Sequence, residues 1–289
     1  MIPAAFAYER PTSLGEALEL LDRYGGSAKV LAGGQSLLPL LKLRLARVER
    51  LVDIRRLGEL KGIRDHDGGL ALGALTTYRE LLESDLVRSR YPLIVEATED
   101  IADLQVRNVG TVGGAVAHCD PASDLPAVLL ALEASVVLRS RAGDRVLPLD
   151  AFLQGPFTTA CAPNEILTEI RLPAPPAGAG TAYRHLEQPA SGYSIVGVAA
   201  VVARAGADSG FGHVRVALTG VGERPYRATA VEAALAGTDW TPEQLAAAAS
   251  RATEGVTVNS DIHADAAYRA HLAGVLTRRA LEAAKARSA

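Results

Sequence analysis

The sequence predicts an α+β fold, on three observations. Between residues 56 and 175, strand and helix signals mix without the regular strand–helix–strand rhythm of a parallel sheet. "ASVVLRSRAGDRVLPL" (134–149) has the pattern of an antiparallel hairpin, with Ala142-Gly143-Asp144 in its turn. "PAPPAGAG" (173–180), rich in proline and glycine, reads as a linker between domains. The chain therefore divides into an N-terminal domain (1–175), with subdomains of about 1–55 and 56–175, and a smaller α+β C-terminal domain (176–289).

Taken in order, the first subdomain opens with a helix. Ser13-Leu14-Gly15-Glu16 fits a capping box, and Leu14, Ala17, Leu18 and Leu21 form one apolar stripe. Ala28–Ala32 is a short buried strand. Ser36 is placed to cap a helix running to Arg47, with Pro39 tolerated in its first turn. "RLVDIR" (50–55) is the return strand. In the second subdomain, "GGLALGALTTYRELLES" (68–84) gives a strand and then a helix capped by Thr77 and Glu80. "PLIVEATEDIADLQVRN" (92–108) predicts helix leading into a second glycine loop, and "NEILTEIRLP" (164–173) a further strand. Beyond the linker, "AYRHLEQ", "SIVGVAAVVAR" and "GHVRVALTGV" are three strands of an antiparallel sheet. Two helices follow, one capped at Thr241-Pro242-Glu243-Gln244 and one from about Ala264 to Ala286.

Composition narrows the function. The chain has 289 residues, 48% hydrophobic and 22% charged, which is ordinary for a soluble globular protein. A formal net charge of −3 and 4% aromatic residues give no reason to expect nucleic acid or an anionic membrane as partner. The first residues lack a signal peptide's basic and apolar regions, and the longest apolar runs, such as Ile195–Ala203, are too short to span a bilayer. A cytoplasmic protein is expected. Cys119 and Cys161 stand far apart, with no C-x-x-C or H-E-x-x-H, so the chain holds no metal site and no iron–sulfur cluster of its own. His118 and Cys119, as neighbours in extended chain, would point to opposite faces and make no catalytic pair. No catalytic residue is assigned.

Two glycine pairs stand out. In "VLAGGQSLLP", Gly33 and Gly34 lie between a strand end and a helix start, where positive φ and uncovered N–H groups would suit an anion such as a phosphate. A tight strand–helix turn without a ligand would use the same residues. Thr111-Val112-Gly113-Gly114 repeats the pattern, and two such loops suggest a pair of backbone cradles converging on a pyrophosphate. Asp124 lies close downstream. It either caps the helix beginning there or faces a ring N–H or ribose hydroxyl of a ligand. Neither G-x-G-x-x-G nor G-x-x-x-x-G-K-[ST] is present, because Glu223-Arg224-Pro225 breaks the dinucleotide pattern that Gly220-Val221-Gly222 begins.

"AGGQSLLPLLKLR" together with "RNVGTVGGAVAHCDPASDLPAVLLAL" resembles the FAD-binding medium subunit of the molybdenum hydroxylases, the carbon monoxide dehydrogenase and xanthine dehydrogenase family. "SGYSIVGVAA" (191–200) and "RVALTGVGERPYRA" (215–228) are similar to the C-terminal domain of those subunits. The resemblance implies a two-subdomain FAD-binding domain of the PCMH/vanillyl-alcohol-oxidase-like type, followed by a C-terminal flavoprotein domain, with extended FAD between them. It implies that Ala32, Gly33, Gly34, Gln35, Ser36 and Leu37, with Thr111, Gly113 and Gly114, hold the pyrophosphate. Asp124 would lie near the flavin and adenosine, Leu167 would make an apolar contact to the cofactor, and Tyr193 would stand beside the isoalloxazine. Gln35 replaces the histidine often found there, and Arg184 aligns loosely with a basic residue of some members. The implied partners are a large molybdopterin-binding subunit and a small iron–sulfur subunit, assembled as a dimer of heterotrimers. The chain would take electrons from the clusters and pass them to an external acceptor, since redox chemistry belongs to the cofactor. A free-standing FAD-dependent oxidase or reductase and a non-catalytic binding module are the rival readings.

Overall fold

A computed structural model describes residues 2–206 and 210–289. The first subdomain runs β1 (Ala7–Glu9), α1 (Leu14–Tyr24), β2 (Ala28–Leu31), α2 (Leu37–Lys42) and β3 (Arg50–Asp53). Its parallel sheet has the order β1-β3-β2, with Leu31 registered on Asp53. Leu14, Ala17, Leu18 and Leu21 of α1 pack on Val52, Ile54 and Leu57. Burial of each leucine contributes roughly 1.5–3 kcal/mol. Ser13 Oγ accepts the Glu16 N–H at 3.2 Å, but the Glu16 carboxylate turns to Thr12 N at 2.6 Å and leaves the capping box half-formed.

The second subdomain holds β4 (Ile63–His66), β5 (Gly69–Gly73), α3 (Tyr78–Glu83), α4 (Asp85–Arg90), α5 (Pro92–Glu99), α6 (Leu104–Arg107), α7 (Val112–His118) and α8 (Asp124–Ala131). It continues through β6 (Ser135–Ser140), β7 (Gly143–Pro148), α9 (Leu149–Phe152), β8 (Leu153–Gly155), β9 (Thr158–Thr159) and β10 (Ile166–Leu172). Its main sheet is antiparallel, in the order β4-β5-β10-β6-β7, and β8 pairs with β9 apart from it. Leu70, Leu72, Val136, Leu138 and Ile170 of the sheet share one core with α5, α7 and α8.

The C-terminal domain is the antiparallel sheet β11 (Gly180–Glu187), β12 (Ser194–Arg204), β13 (Phe211–Thr219) and β14 (Tyr226–Arg227), with helices α10 (Thr229–Leu235), α11 (Pro242–Ala249) and α12 (Ala266–Arg287). Strand period decides how the domains meet. Val196, Val198, Ala200 and Val202 face the C-terminal helices, whereas Ala199 and Val201 join Tyr183 and Ala217 in the core that contains α8. The sheet is thus covered on both faces, by α12 and by a helix of the N-terminal domain. Gly180 lets α12 approach, since a Cβ there would overlap the Ala284 carbonyl.

Several local expectations are corrected. The helix after Ser36 stops at Lys42. Arg44 takes a left-handed φ of 59° and Leu45 N–H reaches back to the Leu40 carbonyl at 2.9 Å, a Schellman-type end made without glycine. Residues 92–108 form two helices, because Ala102 is left-handed (φ 50°) and Asp103 caps α6 through Val106 N–H at 2.8 Å. Arg107 holds that break by donating to the carbonyls of Ile101 and Ala102, at 2.9 and 2.8 Å. Ser140 pairs with Gly143, so Arg141 and Ala142 form the hairpin turn and Asp144 lies in the return strand. The Pro/Gly linker is pinned: Tyr91 Oη donates to the Pro173 carbonyl at 2.6 Å and Ala289 N–H to the Gly178 carbonyl at 3.0 Å. No helix of the described residues is long and apolar enough to cross a membrane.

Candidate functional site

The two glycine loops meet. A Cβ on Gly33 would overlap the Val109 carbonyl and lie 3.0 Å from Gly110 Cα, so the first loop is pressed against the approach to the second. Gly34 is left-handed (φ 75°), a conformation that costs other residues free energy. The backbone N–H groups of Ala32, Gly33, Gly34, Gln35, Ser36 and Leu37 donate to no acceptor among the described residues. Backbone donors that the protein leaves unanswered, in a loop partly shielded from water, ask for an external acceptor. Gln35 Nε2 donates to the Gly33 carbonyl at 3.2 Å, turning that oxygen into the loop's own bonding. Ser36 makes no side-chain cap, since its backbone is already helical (φ −99°, ψ −48°).

The second loop is built differently. Val112 N–H donates to the Thr76 carbonyl at 2.9 Å, Gly113 N–H to the Ala74 carbonyl at 2.9 Å, and Gly114 N–H to Thr111 Oγ1 at 3.1 Å. A Cβ on Gly113 would stand 2.6 Å from the Ala74 carbonyl oxygen and 2.8 Å from Ala74 Cα. Gly113 lets the start of α7 pack on the chain just beyond β5, whereas a Cβ on Gly114 would stand 2.7 Å from Thr111 Oγ1, the helix's own cap. Their N–H groups are spent inside the protein, and Thr111 N–H is the donor that this loop leaves open.

Asp124 is buried at the first turn of α8 and caps nothing. Its Oδ1 accepts from the hydroxyls of Tyr183 and Ser194, across the domain boundary. Burial raises its pKa above the ordinary carboxylate range, against those hydrogen bonds, and burial followed by the neighbouring Asp124 raises Tyr183 as well. Around it, Thr219 Oγ1 donates to the carbonyls of Pro121 (2.9 Å) and Ser123 (2.8 Å), and Gly220 N–H donates to the Pro121 carbonyl at 2.7 Å. The segment joining α7 to α8 is therefore stitched to the C-terminal sheet.

Tyr193 follows Gly192 (φ 72°) in a turn held by Gln188, whose side-chain Oε1 accepts Ala190 N–H at 2.6 Å. Its phenol is near enough to Ser36 for their side chains to interact, and although the residue is 45% exposed, desolvation of the phenol raises its pKa. Tyr193, Ser194, Gln188, Phe157, Asp120 and Arg269 help line a cavity of about 380 Å³. Leu167 is not among its walls; it lies buried on β10 beside a bulge, in the core shared with α8. Arg184 is committed to Glu96 at 2.8 Å, which Arg287 also holds at 2.8 Å. Cys119 is buried with its thiol on the Gly155 carbonyl, and burial raises its pKa, so no thiolate is offered. Among the described residues no cluster could hold a metal ion.

Sequence reasoning did not single out Tyr183 or Ser194. Ser194 is the one hydroxyl in the apolar run 194–203, and Tyr183 alternates with Arg184 on β11. Both signals are visible, but only the paired register of β11 and β12 brings them to one carboxylate.

The comparisons with known proteins agree over the whole chain. Residues 4–175 match the FAD binding domain in molybdopterin dehydrogenase, and residues 181–284 match the CO dehydrogenase flavoprotein C-terminal domain. The carbon monoxide dehydrogenase medium chain of Hydrogenophaga pseudoflava is 42% identical over 289 residues, covering 100% of both chains. The glyceraldehyde dehydrogenase medium chain of Sulfolobus acidocaldarius is 38% identical, covering 98% of this chain and 99% of its own. Among solved structures, a carbon monoxide dehydrogenase from Hydrogenophaga pseudoflava superposes with a TM-score of 0.96 at 45% identity, over 100% of both chains. Quinoline 2-oxidoreductase from Pseudomonas putida 86 gives 0.91 at 33% identity, over 99% of both.

Proposed function

The chain belongs to the FAD-binding medium-chain family of the molybdopterin dehydrogenases, and on that premise we propose that it is the electron-exit subunit of a molybdenum hydroxylase. FAD is its cofactor. When bound, FAD supplies the redox chemistry, exchanging electrons with iron–sulfur clusters on a small partner and with an external acceptor. Substrate chemistry belongs to a large molybdopterin-binding partner. Relatives named for carbon monoxide, glyceraldehyde and quinoline share this architecture, which supports a common module indifferent to the substrate. A dimer of heterotrimers in the cytoplasm completes the reading, with residues 1–175 and 176–289 as the two working domains.

The observation that carries the cofactor assignment is the open run of N–H groups from Ala32 to Leu37. It offers a pyrophosphate converging donors with no acidic side chain in the run. We assign the anion to this loop, with Thr111 closing the far side through its N–H. Gly113 acts from behind, by letting α7 seat against Ala74, and Gly114 by leaving room for the Thr111 hydroxyl that caps the helix. Tyr193 lines the cavity from the C-terminal side, where an aromatic face would exclude water from a planar ring. Asp124 and Leu167 stand behind the cavity, the first joining the two domains through Tyr183 and Ser194 and the second packing in the core they share.

The test is reconstitution. The chain assembled with its two partners should carry FAD, reduce it when substrate is supplied, and pass electrons to an added dye. The chain alone, given FAD and the same substrates, should show no turnover. Robust substrate oxidation by the single chain would restore the free-standing flavin enzyme.

A further inference from the structure

Asp53, Asp124, Glu169 and Glu232 are the buried carboxylates among the described residues. Guanidinium groups answer Asp53 (Arg55, 2.6 Å), Glu169 (Arg171, 2.6 Å, and Arg64) and Glu232 (Arg227 Nε, 3.0 Å). Asp124 has only the hydroxyls of Tyr183 and Ser194, and no Lys or Arg of the described residues bonds to it. A carboxylate buried among neutral donors is expensive as an anion, and a purely structural clasp would be served as well by apolar contact. What such a group does readily is hold a proton.

A continuous path leads from it to solvent. Ser194 Oγ, which bonds Asp124, lies 3.1 Å from His185 Nδ1. His185 Nε2 lies 3.5 Å from Asp100 Oδ2, and the Asp100 side chain is 57% exposed at the end of α5. At the inner end Ser194 lines the cavity together with Tyr193. The titratable groups around the carboxylate are Tyr183 and His185 from β11, Tyr193 ahead of β12, Tyr78 from α3, and Asp100.

We propose that Asp100, His185, Ser194 and Asp124 form a proton relay between solvent and the cofactor cavity, matching proton uptake to electron arrival at the FAD. This rests on the reading that places the flavin beside Tyr193. FAD, when bound, would need at least one proton for each pair of electrons it takes up. Ser194 gives its hydroxyl proton inward and regains one from His185 Nδ1–H or from the Asp124 carboxyl. His185 is reprotonated at Nε2 from Asp100, and Asp100 from water. When the external acceptor withdraws the electrons, the same transfers run outward, so no residue is consumed. His185 and Asp124 are positioning and relay groups; neither is required to touch substrate.

The test uses the assembled, FAD-loaded complex and, beside it, the ligand-free chain. In the complex, His185→Gln keeps a hydrogen-bonding side chain but cannot pass a proton. Flavin reduction followed by rapid mixing should slow roughly 10²-fold, with flavin content unchanged, and added imidazole should restore it. In the ligand-free chain, carbon-13 carboxyl spectra of Asp124 should titrate above the ordinary carboxylate range, and higher still in His185→Gln, which removes the ring that favours its anion. Wild-type reduction rates in His185→Gln, slowing without imidazole rescue, or an Asp124 titration indifferent to His185→Gln would each overturn the relay. Tyr193→Ala locates the fault. If it changes flavin fluorescence while the relay variants do not change the rate, the relay alone has failed; if it too changes nothing, the flavin placement has failed with it.

Discussion

Gly33-Gly34 and Gly113-Gly114 are the same dipeptide put to different uses. The first pair leaves its backbone donors open, has one residue at φ 75°, and touches the second loop through the space where a Gly33 side chain would be. The second pair sits inside regular helix, has no positive φ, and spends its N–H groups on Ala74 and Thr111. In the proposed reading one loop receives and the other supports. A glycine pair marks close approach of backbone to something: the second pair meets the protein's own strand end, and the first is the one proposed to meet a ligand.

The largest expected effect comes from Gly113→Val. Its side chain would enter a space where Ala74 Cα stands 2.8 Å from the Cβ position, and stability should fall by about 3 kcal/mol in urea titration. FAD would then be lost because the fold is lost. A Gly113→Val chain of normal stability that merely fails to take up FAD would make the two loops equivalent. Gly33→Ala comes next. It should part the loops at Val109 and cost roughly 1–3 kcal/mol. FAD affinity in the assembled complex, measured by equilibrium dialysis, should drop on the order of tenfold or more as the donors diverge. Gly34→Ala is milder. Its left-handed φ costs about 1 kcal/mol, and the nearest atoms, Leu38 Cδ1 at 3.0 Å and Leu31 Cδ1 at 3.1 Å, belong to side chains that can shift. Urea midpoints for the three variants should fall in that order.

The finest test lies behind the loops, where each has a buried aspartate. Asp53 pairs in register with Leu31, the last residue before the first loop, and Asp124 opens the helix after the second. Burial pushes Asp53 up, but hydrogen bonds from Arg55 and Tyr8 outweigh it and hold its pKa at about 2. Its contribution is complete above the ordinary carboxylate pKa and is lost as pH falls through about 2. Because Arg55 is half-exposed, roughly 1–2 kcal/mol should disappear there. Asp124 has the opposite sign. Its pKa is raised, so its contribution is present in acid and lost as pH rises through the folded value. Unfolding free energies of Asp53→Asn and Asp124→Asn should therefore lie nearest wild type in acid and depart from it with opposite sign as pH rises, Asp53→Asn becoming the less stable and Asp124→Asn the more stable. Parallel profiles would remove the contrast.

Much of this was legible in the sequence, because local chemistry and periodicity carry it. The cap at Thr77, the stripe of α1 and the alternation of β12 are encoded by neighbours a few residues apart. The glycine pairs were visible for the same reason. Their separate purposes were not, since Val109 and Ala74, which distinguish them, lie far from Gly33 and Gly113 in sequence and meet them only in the fold. The helix breaks at Arg44 and Ala102 escaped because ordinary residues adopt the left-handed turn there, held by Leu40 and Arg107. α10 carries too few large apolar residues for its period to show: Val231 and Leu235 anchor an otherwise small-residue segment. The donors of Asp124 were not legible either, because they belong to strands of another domain.

The double cover of the C-terminal sheet has a consequence for how the chain is made. A ribosome delivers α8 long before β12, and β12 before α12. Domains tend to mature in that order during synthesis. The face of β12 carrying Ala199 and Val201 therefore emerges to find its partner already in place, while the face carrying Val196, Val198 and Ala200 waits for the last helix. The nascent sheet can be templated by the finished N-terminal domain, and Asp124 can receive Tyr183 and Ser194 before the outer face is closed. During that interval the valine-rich outer face is the stretch a chaperone would have most reason to hold.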